Sequence, residues 1–157
     1  MNIRLIVVGK TNIDYVQRGI DDYVARLKHY TPFELVVIPP VKNAGRMGAD
    51  ELKEHEGEQL LKQMAKSDVA ILLDEHGKEL TSMGFADYLQ RQLNAGVRSM
   101  CFVVGGAFGF APAVHRAATG KISLSQMTFN HQMVRLFFVE QLYRAHTILR
   151  HEKYHNE

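Results

Sequence analysis

The run Met100-Cys101-Phe102-Val103-Val104 opens directly into Gly105-Gly106-Ala107-Phe108-Gly109, and Pro112 follows shortly after. A short, wholly apolar segment bounded by turn residues suits a strand covered on both faces, and a proline at that distance fits the first turn of a helix. The stretch reads as strand, glycine turn and helix, the repeating unit of an α/β protein.

The same alternation extends in both directions. Ile3 to Val8 is a β-branched run stopped by Gly9, and Asp14 to His29 carries Val16, Ile20, Tyr23, Val24 and Leu27 at helical spacing. Phe33 to Ile38 is a second strand, Pro39 to Gly48 a loop, and Asp50 to Lys66 a charged helix. Val69 to Leu73 reads as a strand ending in the turn-like Asp74-Glu75-His76-Gly77, and Ser82 to Leu93 as a helix capped by Ser82. Lys121 to Leu124 is the last strand, followed by a polar loop and a helix from about His131 to Arg150. In that helix Val134, Phe138, Leu142, Ala145 and Leu149 form one apolar stripe, and Met133, Leu136 and Phe137 a second. Burial on more than one side is expected. Strands alternating with helices predict a single α/β domain over residues 1–157 around a mostly parallel sheet. Ligands in such sheets bind at the carboxyl ends of strands, here the loops after Leu73, Val104 and Leu124.

Composition narrows the function. The 157 residues fit one domain, and lone Cys101, inside an apolar strand, reads as a buried core thiol in a reducing, cytoplasmic protein. No export signal is expected, because Leu5-Ile6-Val7-Val8 is closed at once by Gly9-Lys10. No apolar run approaches the about 20 residues that span a bilayer. The net charge of +2 conceals an uneven split: residues 1–87 hold 11 Lys and Arg against 14 Asp and Glu, whereas residues 88–157 hold 8 against 3. Between Asp87 and Glu140 there is no acidic residue. Such a segment suits a face that meets polyanionic phosphate, or simply a core segment with few charges.

Three motif readings fail or stay weak. The dinucleotide fingerprint needs Gly where Val104 stands, and a phosphate-binding P-loop ending in Gly9-Lys10-Thr11 needs Gly where Arg4 stands. His151-Glu152-Lys153-Tyr154-His155 is a literal zinc-protease pattern, but it lies at the chain end without a third ligand, so no metal site is expected. The densest polar patch is Ser123 to Arg135. Asn130 there can cap the following helix, and His131 and Arg135, one turn apart, can address one anion.

Eight blocks together carry a resemblance: Ile3 to Lys10, Phe33 to Pro39, Glu56-Gly57-Glu58, Leu72 to Lys78, Val103 to Gly109, Ser123 to Arg135, Glu140 to Ala145, and Tyr154-His155. In order and spacing the chain resembles, over its whole length, the RlmH family of ribosomal RNA large-subunit methyltransferases. The resemblance implies a SPOUT-class α/β fold with a C-terminal trefoil knot and a homodimer that binds S-adenosyl-L-methionine. The implied reaction is methylation of N3 of a pseudouridine in 23S rRNA of the assembled ribosome. Carried over by position, the cofactor pocket comprises Leu73, Gly105, Gly106 and the loop Leu124-Ser125-Gln126-Met127-Thr128-Phe129. Tyr154 and His155 are the candidates for contacting the target base, and His131 and Arg135 for orienting it or its phosphates. The general base stays open between His131, His155 and a water. Many family members have Pro before the loop histidine, where this chain has Asn130. A non-catalytic RNA- or ribosome-binding module on the same fold is the alternative.

Overall fold

In the computed structural model, which describes residues 1–156, the strands pair as one five-stranded sheet. β1 (Asn2–Val8), β2 (Phe33–Ile38), β3 (Val69–Glu79), β4 (Ser99–Val104) and β5 (Gly120–Ser123) lie in the order β2-β1-β4-β3-β5, every neighbouring pair parallel. The helices are α1 (Asp14–Leu27), α2 (Ala49–Met64), α3 (Ser82–Asn94), α4 (Pro112–Ala117) and α5 (Met133–Leu149). A single 3-10 turn, Ala44–Arg46, interrupts the loop between β2 and α2.

Alternation along the central strands divides the interior into two cores. Ile3, Leu5 and Val7 of β1 and Met100, Phe102 and Val104 of β4 pack under α1, α3 and α5. Ile6, Cys101 and Val103 point the other way, onto Leu60 and Met64 of α2 and Val114 of α4. Strands covered on both faces lose the polar half of their pattern, which is why these segments are continuously apolar. Cys101 is a buried core thiol, and burial raises its pKa.

Three local expectations are corrected. β3 does not stop at Leu73. It runs to Glu79, with a register shift against β5 between Leu73 and Lys78. Asp74 to Gly77 is thus an irregularity within a strand: Asp74 Oδ1 accepts from the His76 amide at 2.9 Å. A Cβ at Gly77 would stand 2.8 Å from the Ile122 backbone, so glycine is needed where the strands approach. Second, α3 is capped by Thr81, whose Oγ1 accepts from Gly84 N, while Ser82 Oγ donates to Gln141 Oε1 across to α5. Third, α5 begins at Met133, because Asn130 Oδ1 accepts from the Gln132 amide at 2.8 Å and closes a turn first. The freed Gln132 side chain accepts from the amides of Asn12 and Ile13 and so holds the start of α1.

Along α5, Phe138, Leu142 and Ala145 are buried, and the second stripe is partly covered, with Phe137 left 40% exposed.

Candidate active site

The carboxyl ends of β4 and β5 and the irregular middle of β3 open into one cavity of about 650 Å³, within the usual range for a small-molecule site. Its floor is Leu73 with Asp74 to His76, one wall is Val104 to Phe110, and the opposite wall is the segment from Leu124 to His131 without Gln126. Val134 of α5 and His115 of α4 complete the lining.

Each wall is held by its own bonds. Ser123 Oγ donates to the Ser125 carbonyl, Ser125 Oγ accepts from Met127 N, and Thr128 Oγ1 donates to Glu75 Oε2 at 2.6 Å. The last bond ties the loop after β5 to the irregular part of β3. Phe129 packs on Phe137 of α5 with ring centroids 5.0 Å apart. In the glycine loop, Gly109 has φ +85°, a left-handed conformation that glycine adopts at low cost, and its amide donates to the Gly106 carbonyl. Gly105 and Gly106 serve packing: a Cβ on Gly105 would stand 3.1 Å from the Phe110 ring, and one on Gly106 would meet the Glu56 carboxylate at 2.5 Å. The sequence left the space at these glycines open between a ligand and a tight turn. The protein itself fills that space.

The lining chemistry suits a flat, largely neutral heterocycle bearing polar edges. Leu73, Leu124, Phe129 and Val134 supply apolar surface, and loop backbone supplies donors and acceptors. His115 Nδ1 is buried without a hydrogen-bond partner. A buried orphan nitrogen in a cavity wall calls for a ligand or a water. Met127, 76% exposed, and Phe108, 54% exposed, add wet apolar surface to the lining. These features fit an adenine nucleoside such as that of S-adenosylmethionine.

The structure gathers Leu73, Gly105, Gly106, Leu124, Ser125, Met127, Thr128, Phe129 and His131 around the cavity. It does not bring Gln126, Arg135, Tyr154 or His155 there. Arg135 is 1% exposed, and its guanidinium donates to the carbonyls of Val8, Gly9 and His131 and to Thr11 Oγ1. It has left the face on which His131 stands and offers nothing to an anion. Tyr154 Oη donates to Glu140 Oε1 at 2.9 Å and lies 3.0 Å from the Tyr23 hydroxyl, and Arg144 Nη1 donates to His155 Nδ1 at 3.0 Å. Arg144 also pairs with Glu140 at 2.6 Å and lies over the Tyr154 ring. The tail is therefore docked on α1 and α5. Its zinc-like pattern falls beyond the helix, with His151 at φ 57° and Glu152 accepting from Tyr30 Oη. Among the described residues no group of three or more His, Cys, Asp or Glu is arranged to hold a metal, and no helix is long and apolar enough to cross a membrane.

Sequence reading missed His115 and Val134 as lining residues, whereas Asp74 to His76 fall in the stretch after Leu73 to which the strand-end rule pointed. His115 lies in the short helix that leaves the glycine loop, which was its only signal.

A parallel α/β sheet with a nucleoside-sized cavity at its strand ends defines a class of nucleotide- or cofactor-binding enzyme folds. Within that class, residues 1–155 match the model of the predicted SPOUT methyltransferases. The chain is 52% identical to the ribosomal RNA large subunit methyltransferase H of Parabacteroides distasonis and 50% identical to that of Flavobacterium johnsoniae, over 157 residues and the whole of each chain. That of Porphyromonas gingivalis is 49% identical over the same length. The chain belongs to the RlmH family of SPOUT-class methyltransferases.

Proposed function

We propose that this protein, a single domain working as a cytoplasmic homodimer, transfers a methyl group from S-adenosyl-L-methionine to N3 of a pseudouridine in 23S rRNA of the assembled ribosome. The observation that carries the reading is the convergence of the loops after β4 and β5 and the irregular middle of β3 on one cavity of about 650 Å³. It is supported by full-length relatives named as ribosomal RNA large subunit methyltransferases. The family's trefoil knot, formed by the segment around β5 and α5, is part of the same proposal.

When bound, S-adenosylmethionine supplies an electrophilic methyl group on a sulfonium sulfur. Leu73, Leu124, Met127 and Phe129 would hold the adenine between apolar surfaces, while Gly105, Gly106, Ser125 and Thr128 would offer main-chain and side-chain partners. An in-line displacement asks the protein mainly for alignment of the base nitrogen and removal of its proton. His131, exposed at the cavity, takes the N3 proton or passes it to water. Arg135 positions His131 by anchoring the first turn of α5 to the end of β1.

Tyr154 and His155 lie outside the cavity of their own chain, so in this reading a second subunit supplies them. The partly exposed Phe137 on α5 gives that pairing an apolar surface. Calorimetric titration with S-adenosylmethionine tests the cavity: one site per chain is expected, and no heat at saturating ligand would favour the non-catalytic module.

A further inference from the structure

Glu56 sits in the middle of a helix rich in charge, yet it is only 8% exposed. Its neighbours in the Glu56-Gly57-Glu58 block have simpler roles. Gly57 admits Val114 of α4 and Ala111 just before it, whose side chains would lie 3.3 and 3.4 Å from a Cβ there, and Glu58 faces solvent. Glu56 turns inward under the glycine loop. Both carboxylate oxygens lie against Gly106, 2.5 and 2.6 Å from where a Cβ would stand. Among the described residues the Glu56 carboxylate makes no hydrogen bond or ion pair, and burial alone raises its pKa.

A carboxylate so largely buried and without a protein partner is costly unless water or an arriving cation balances it. Gly106 lines the cavity, so only a side-chain-free residue separates this charge from a ligand. S-Adenosylmethionine carries a sulfonium, whereas its demethylated product carries a neutral thioether.

We propose that Glu56 is a specificity-determining residue of the cavity, whose carboxylate, seated on Gly106, favours the cationic sulfonium over the neutral thioether and so promotes exchange of spent cofactor. This rests on the cavity being the S-adenosylmethionine site. Glu56 acts through the field at Gly106 without touching the reacting atoms.

The test is calorimetric titration of wild-type protein and Glu56→Gln with S-adenosylmethionine and with S-adenosylhomocysteine, together with thermal melts of the unliganded proteins. The expected result is about a tenfold loss of S-adenosylmethionine affinity, with the homocysteine analogue changed by less than about twofold. The melting temperature should stay level or rise, because an unpaired buried carboxylate has been neutralised. Equal losses for both ligands, or a lower melting temperature with no change in preference, would overturn the proposal by making Glu56 structural. If wild-type protein binds neither ligand, the cavity assignment fails and the proposal falls with it. Should the glutamine variant not fold, Glu56→Asp decides: retaining a weaker sulfonium preference supports the charge, and a preference identical to wild type overturns dependence on contact with Gly106.

Discussion

The Nη1 of Arg135 donates to the carbonyl of Gly9 at 2.9 Å, across 126 residues of sequence. This bond joins the first turn of α5 to the carboxyl end of β1, and Nη2 repeats the link to Val8 at 2.9 Å. Among the described residues no carboxylate balances the guanidinium, and burial lowers its pKa. Main-chain carbonyls at a strand end have no further sheet partner, and the planar fork of arginine satisfies several at once.

Arg135→Lys should therefore destabilise the protein. An ammonium cannot reach the same set of acceptors, and each buried carbonyl left unpaired costs roughly 1–3 kcal/mol. Urea unfolding should show a lower midpoint with an unchanged slope. A midpoint equal to wild type would mean that the clamp contributes nothing.

Thr128→Val should act on the cavity more than on the fold. Losing the 2.6 Å bond to Glu75 Oε2 frees the loop after β5 from β3. The bond is solvent-exposed, so stability should change by less than about 1 kcal/mol. Cofactor affinity, measured by calorimetry, should fall several-fold.

Acid should weaken the fold through His146. Its ring is buried against Tyr30, its Nε2 has no partner, and its pKa is lowered to about 4, first by burial and then by Arg150. With an unfolded value near 6.5, the unfolded chain binds the proton first as pH falls. Stability is fully present above about pH 6.5 and declines toward pH 4. His146→Phe, which keeps the stack, should flatten the urea midpoint over that window.

Alkali should act through tyrosines. Glu152, accepting from Tyr30 Oη, raises that phenol's pKa to about 12, and burial with bonds to Tyr23 and Glu140 raises that of Tyr154. A raised value contributes stability that is complete below about pH 10 and lost as pH climbs through the folded value. Spectrophotometric titration should show tyrosines ionising above the normal range, and Tyr154→Phe should remove one of them. The phenol of Tyr154 stays protonated at neutral pH, so it serves as a hydrogen-bond donor and not as a base.

Much of the architecture is legible because both-face burial leaves continuous apolar runs: Phe33 to Ile38 is read and found with the same ends. The rule that ligands sit at strand ends leads to Leu73, Gly105 and Leu124 before any coordinates. What escapes is long-range. Asp74 to Gly77 has turn composition, and only the pairing of Leu73 and Lys78 on either side of it with Ile122 keeps it within the strand. Periodicity puts Arg135 beside His131 but cannot reveal the carbonyls of Val8 and Gly9 beneath it. Glu56 hides among solvent-facing charges of α2, since one inward carboxylate leaves no trace in composition. The docking of Tyr154 on Tyr23 joins segments more than 100 residues apart.

The central claim is best tested by incubating the protein with methyl-labelled S-adenosylmethionine and ribosomes lacking the modification, with naked rRNA alongside, and mapping the labelled nucleoside. Label on N3 of a single pseudouridine in the ribosome, and little on naked rRNA, is the predicted result. Absence of label from both substrates, with cofactor bound, would contradict it.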